Sequence, residues 1–152
     1  MTYADTSFLA SAYGQDVNSG SAHGYLEQQE PRLPFTFLHW PEVAKALWST
    51  TPEEAERTWA EIEQDISEGH KLYLPDLDTD AVARRAAGLM KHFCPRWKKL
   101  RSLDTLHVSA AVTGHFRRFL SFDTGSFQRV LAHTQKLSVW PPLTAAEQKH
   151  LD

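Results

Sequence analysis

Short apolar runs alternate with capped helical segments along this 152-residue chain, and that alternation narrows its possible folds more than any other feature. The first run, residues 2–5, is β-like and ends on Asp5. Ser7 to Tyr13 reads as a helix starting at Thr6 or Ser7, both good N-cap types, and stopped by Gly14. A second helix is expected over 18–30, with Pro31 and Pro34 marking its exit. Residues 35–39 read as a second strand. A helix over 40–48 follows, with Pro41 in its first turn, where the missing N–H costs nothing. Thr51-Pro52-Glu53-Glu54 is expected to open the next helix as a capping box. Ala55, Trp59, Ile62 and Ile66 then form an amphipathic stripe that ends at Gly69.

The second half repeats the pattern. A short strand at 71–74 leads to a helix from Asp78 or Thr79 to about Phe93, broken by Pro95. A basic loop, 94–101, precedes a helix capped by Ser102 and ended by Gly114. A strand over 118–122 ends on Asp123, a helix over 126–134 follows, and a last strand occupies 137–140. Residues 1–142 read as one domain and 143–152 as a tail carrying a frayed helix. Strands alternating with helices imply βαβ units and a mostly parallel sheet covered on both faces. Right-handed crossovers put the strand C-terminal ends on one edge, where open α/β sheets place their sites.

Four carboxylates fall at that expected edge. Asp5 and Asp123 follow strands, while Glu42 and Asp104 lie in the first turns of helices. Each has a plain structural reading, because acids in a first turn complement the helix dipole. Four clustered carboxylates repel, however, and need a cation; hard oxygen ligands suit Mg²⁺ or Mn²⁺. Such ions activate water and offset charge on a phosphodiester, which is the chemistry of a metal-dependent nuclease.

Those residues carry a resemblance. Tyr3-Ala4-Asp5-Thr6-Ser7-Phe8-Leu9 is similar to the opening strand motif of PIN-domain proteins. Trp40-Pro41-Glu42-Val43-Ala44-Lys45-Ala46-Leu47 resembles the segment around the family's second acid, and Leu103-Asp104-Thr105-Leu106 that around its third. Phe119-Leu120-Ser121-Phe122-Asp123 resembles the fourth. The likeness spans about residues 2–142 and is strongest to VapC-like toxin ribonucleases of prokaryotic toxin–antitoxin pairs. It implies a three-layer α/β/α fold with a central, mostly parallel sheet of four to five strands. It further implies Mg²⁺- or Mn²⁺-dependent cleavage of RNA, a cognate antitoxin protein and a homodimer. Asp5, Glu42, Asp104 and Asp123 would be catalytic and metal-binding, with support from Thr6, Ser7, Ser121 and His107. A PIN-like RNA-binding or regulatory module without activity is the alternative, disfavoured by four filled acidic positions.

The formal net charge of -3 hides a strong asymmetry. Residues 53–80 hold ten acids against Arg57 and Lys71, whereas 84–118 hold nine bases against Asp104 alone. Either run can be a solvated face. The sharper reading makes Lys98, Lys99 and Arg101, with Trp97 between them and Arg96, a contact for RNA phosphates and a stacked base. Trp40, Trp48 and Trp59 read as core or dimer anchors. His107, three residues beyond Asp104, either shapes the site or is a hydrogen-bonded core histidine.

Other chemistries are excluded. Cys94 is the lone cysteine, so no internal disulfide or cysteine zinc cage exists. The histidines lack metal-binding spacing, no Gly-rich phosphate loop occurs, and Asp5 is followed by Thr6 and Ser7 rather than completing an Asp-x-Asp nucleophile motif. No apolar run approaches the ~20 residues that span a bilayer, and the start lacks a signal peptide's pattern. A soluble, cytoplasmic protein is expected.

Overall fold

The computed structural model describes Met1–Asp152, and the chain falls into two compact units. One contains Met1–Tyr3 and Asp76–Asp152; the other contains Ala4–Pro75.

A three-stranded sheet has the order β1 (Thr2–Ala4), β4 (Arg118–Leu120), β5 (Ser138–Trp140). β4 and β5 run parallel, with Phe119 opposite Val139. The helix α7 (Gln128–Thr134) joins them as a crossover. Two further helices, α5 (Thr79–Phe93) and α6 (Ser102–Thr113), pack against each other. Asp78 starts α5 by accepting from the Ala81 N–H at 3.0 Å. Val108, Ala110 and Ala111 of α6 are fully buried, as are Phe119, Leu120 and Leu131. Tyr3 stacks on Phe119 at 5.7 Å and meets Phe116 edge-on at 5.6 Å, a favourable aromatic geometry. Gly114 ends α6 because of crowding: a Cβ there would lie 2.5 Å from the Phe116 ring.

Residues 143–152 are folded rather than frayed. They form α8 (Ala145–Gln148) and a 3-10 turn, Lys149–Leu151. Thr144 and Glu147 make a complete capping box. Glu147 also pairs with Arg129, which is 1% exposed. Arg129 donates in addition to the carbonyls of Ser121, Pro141 and Pro142.

The second unit contains α1 (Thr6–Tyr13), α2 (Ser19–Gln29), α3 (His39–Thr50) and α4 (Pro52–Glu68). It also has a two-stranded parallel sheet of β2 (Leu33–Pro34) and β3 (Leu72–Tyr73). The expected strand over 35–39 is not formed. Phe35 still donates to the Tyr73 carbonyl, but Thr36 turns the chain and His39 begins α3. The apolar residues Phe35 and Leu38 are buried by that turn instead of by a sheet. The single expected sheet of four to five strands is thus three strands, with a separate pair. β2 is two residues long, with the Leu33 and Phe35 N–H groups bonding the Lys71 and Tyr73 carbonyls on either side of Pro34.

Gly69 ends α4 at φ 73, in the left-handed region that favours glycine. Ala55 and Ile62 are fully buried along the expected stripe. Trp59 meets Trp40 at 5.8 Å and Trp48 at 5.7 Å, both edge-on, so the three tryptophans form a cluster joining α3 and α4. Trp48 keeps 39% of its surface exposed. No helix of the chain is long and apolar enough to cross a membrane.

Candidate active site

Asp5 follows β1 immediately and is the N-cap of α1, a role the sequence assigned to Thr6 or Ser7. Its Oδ1 accepts from the Phe8 N–H at 2.9 Å and from Ser7 Oγ at 2.6 Å. Asp5 as a whole is 3% exposed. Ser7 thus holds the Asp5 side chain by a direct hydrogen bond. Thr6 is the first residue of α1 and half-buried.

Glu42 lies half-buried in the first turn of α3, where the helix dipole favours a negative charge. His39, three residues earlier, is fully buried. Its Nδ1 accepts from the Thr36 N–H at 2.8 Å, so the ring proton sits on Nε2, which donates to the Ala4 carbonyl at 2.8 Å. One imidazole thus ties the start of the Glu42 helix to the residue preceding Asp5. The sequence reading missed this residue. A histidine ending an apolar run and opening a helix was its only signal.

In the first unit, Asp104 is in the first turn of α6 and Asp123 follows β4. They are brought together by a third side chain. Arg101 Nε donates to Asp104 Oδ2 at 2.9 Å, and its Nη2 donates to Asp123 Oδ2 at 3.2 Å. Burial pushes the Asp104 carboxyl above the ordinary carboxylate value against the pull of Arg101; Asp123 adds to the rise and His107 opposes it. Asp123 is held by its own loop, accepting from the Gly125 N–H at 3.2 Å and Ser126 Oγ at 3.0 Å.

Ser121 is buried and accepts from the Asp123 N–H at 3.1 Å while donating to Gln128 Oε1 at 3.3 Å. Gln128 in turn reaches the Asp104 carbonyl at 3.5 Å. This chain of contacts sets the two acidic segments relative to each other. His107 lies in the core, its Nδ1 2.7 Å from the Tyr3 hydroxyl. It is a buried, hydrogen-bonded histidine whose charge acts on Asp104.

Lys98 and Lys99 are exposed between two buried anchors, Trp97 and Leu100. Trp97 cannot stack on a base. It is 3% exposed and already sandwiched between Phe93 at 4.7 Å and Phe127 at 5.2 Å. The aromatic part of the expected RNA contact is corrected accordingly. Cys94 caps the end of α5 as a half-buried free thiol.

Neither unit gathers three His, Cys, Asp or Glu side chains into a ready cage for a metal. The donor chemistry nevertheless suits a hard cation. Asp104 and Asp123 each turn an oxygen toward one positive charge, and Mg²⁺ takes only one or two protein carboxylates and keeps several waters.

A family model of the PIN domain matches residues 2–132. Among solved structures, the chain is similar to the Mycobacterium tuberculosis toxin VapC20, which cleaves the sarcin–ricin loop. The TM-score is 0.64 at 15% identity, over 81% of this chain and 90% of that one. No curated protein matches. The α/β/α fold class read from the sequence agrees with both likenesses, apart from the strand number.

Proposed function

The chain belongs to the PIN-domain family, and from that premise we propose that it is an endoribonuclease dependent on Mg²⁺ or Mn²⁺, the toxin of a toxin–antitoxin pair. Asp5, Glu42, Asp104 and Asp123 are the residues that would hold the ion. Bound by such carboxylates, a divalent ion lowers the pKa of a water nucleophile and offsets charge on the phosphodiester. The observation that carries the reading is the convergence of Asp104 and Asp123 on one cation, Arg101.

The remaining residues act as holders. Ser7 fixes the rotamer of Asp5, Ser121 closes the turn before Asp123, and Gln128 links that turn to Asp104. Pre-set carboxylates need no reorganisation when the reacting phosphate arrives. Lys98, Lys99 and Arg101 would meet the RNA backbone. Reversing the two lysine charges should weaken RNA binding and reduce its salt dependence; an unchanged salt slope would remove them from the interface.

The proposed partners are RNA, a cognate antitoxin and a second copy of this chain, all in the cytoplasm. An antitoxin that blocks an acidic site needs a basic side chain to enter it. The first RNA to test is a ribosomal loop of the kind VapC20 cleaves, alongside unstructured RNA. Cleavage should require Mg²⁺ or Mn²⁺, stop with a chelator, and be absent in Asp104→Asn and Asp123→Asn. Turnover at the unmodified rate in either variant overturns the assignment.

A further inference from the structure

Arg101 already occupies two of the carboxylates that the nuclease reading gives to the metal. It precedes α6 as its N-cap residue, in extended backbone, and makes no side-chain cap. Its guanidinium instead forks across two carboxylates, using Nε for Asp104 and Nη2 for Asp123. Asp104 is 10% exposed at its side chain and Asp123 27%, while Arg101 itself is 66% exposed. Asp123 is also held by the Gly125 N–H and Ser126 Oγ, and Asp104 lies at a helix start, whereas Arg101 is the most exposed member of the trio.

A fork of this kind matches carboxylate geometry closely and carries a fixed charge. It therefore neutralises the pair when no other cation is present. A divalent ion would need the same oxygens and would repel the guanidinium, so both cannot occupy the pair at full strength. Released from the acids, an exposed arginine remains within one side-chain length of whatever binds there, and phosphate is the other anion its fork fits.

We propose that Arg101 is a two-position residue: the resident counterion of Asp104 and Asp123 in the metal-free protein, displaced by the divalent ion and thereby made available to the RNA phosphate. This rests on the metal-dependent reading above and adds that metal affinity is set by an internal competitor. The guanidinium fork is then free to meet a phosphate only when the metal is loaded.

The experiment measures Mn²⁺ binding by calorimetry without RNA, so it does not depend on activity. Arg101→Gln should bind Mn²⁺ about three- to tenfold more tightly than the unmodified chain, the scale expected for losing two partly exposed competing ion pairs. Arg101→Lys keeps the charge but not the fork, and should fall between them. Lys91→Gln, which removes a charge without a fork on these acids, should leave the affinity unchanged. In the unmodified protein, the Arg101 Nε–H resonance should shift and lose its protection from exchange as Mg²⁺ is added. Equal Mn²⁺ affinity in the unmodified chain and Arg101→Gln, or an Arg101 resonance indifferent to Mg²⁺, overturns the proposal while leaving the nuclease reading standing. No Mn²⁺ binding in any variant overturns both.

Discussion

The Nε2 of His39 lies 2.8 Å from the carbonyl oxygen of Ala4, 35 residues earlier in the chain. The same ring accepts the Thr36 N–H, so its neutral tautomer is fixed at both ends inside the core. Glu42 is on the helix this histidine opens, and Asp5 follows the residue it grips. His39→Ala should leave a buried carbonyl and a buried N–H unmatched and open a cavity. The expected loss is about 3 kcal/mol of unfolding free energy. Urea denaturation measures it; a loss below about 1 kcal/mol would mean that the ring only fills space.

Asp5 has two roles that substitution can separate. As N-cap it needs only an acceptor oxygen for the Phe8 N–H, which asparagine supplies. As a metal ligand it needs charge. Asp5→Asn should therefore abolish RNA cleavage while changing stability by less than about 1 kcal/mol, whereas Asp5→Ala should lose the cap as well, at a cost of about 1 kcal/mol. A paired cleavage assay and thermal melt test both statements. Residual cleavage near the unmodified rate in Asp5→Asn would remove Asp5 from the chemistry.

Local chemistry was legible in the sequence wherever one segment decides its own structure. Asp78 caps α5 and Gly69 ends α4 as their residue types require. The same rules failed where backbone geometry was already committed. Thr51-x-x-Glu54 and Thr144-x-x-Glu147 are the same pattern, yet only the second forms a capping box. Thr144 has the extended backbone a box needs (ψ 163), while Thr51 also closes α3 and sits at ψ 64. The positions of the acids after strands and in first turns were readable from the alternation of elements. Arg101's fork was not, because it depends on Asp123, 22 residues away. For the same reason the tail read as frayed: its anchor on Arg129 is a contact across 18 residues that no local pattern encodes.

Tyr13 gives a pH prediction in the second unit. Its hydroxyl donates to Asp65 Oδ2 at 2.5 Å, and burial, followed by that bond and the Asp65 charge, pushes the phenol well above its ordinary value of 10.0. The folded chain therefore keeps a proton that the unfolded chain gives up. The contribution is fully present below pH 10 and is lost progressively as the pH rises above it. Tyr13→Phe should be less stable than the unmodified chain at pH 7, by about 1 kcal/mol for one partly buried hydrogen bond. The difference should shrink above pH 10. Alkaline unfolding curves for the two proteins check this, and parallel curves throughout would show that Tyr13 does not couple folding to protonation.

Arg129 and Glu147 make the sharpest test of whether the C-terminal segment belongs to the working fold. The pair is almost completely buried, and the arginine also donates to three backbone carbonyls, one of them Ser121, two residues before Asp123. A buried pair of this kind adds little relative to a well-packed apolar substitute, but losing one partner strands a charge. Glu147→Gln should cost about 3–5 kcal/mol. The double change Arg129→Met with Glu147→Leu should recover much of that cost, since no charge is left unmatched. Cleavage should follow a different order. The double variant loses the Arg129 donor to Ser121, so its turnover should fall even as its stability recovers, because the turn that aims Asp123 is no longer pinned. Chemical denaturation alongside turnover at saturating RNA distinguishes these effects. Full turnover in the stable double variant would confine the tail to a structural role.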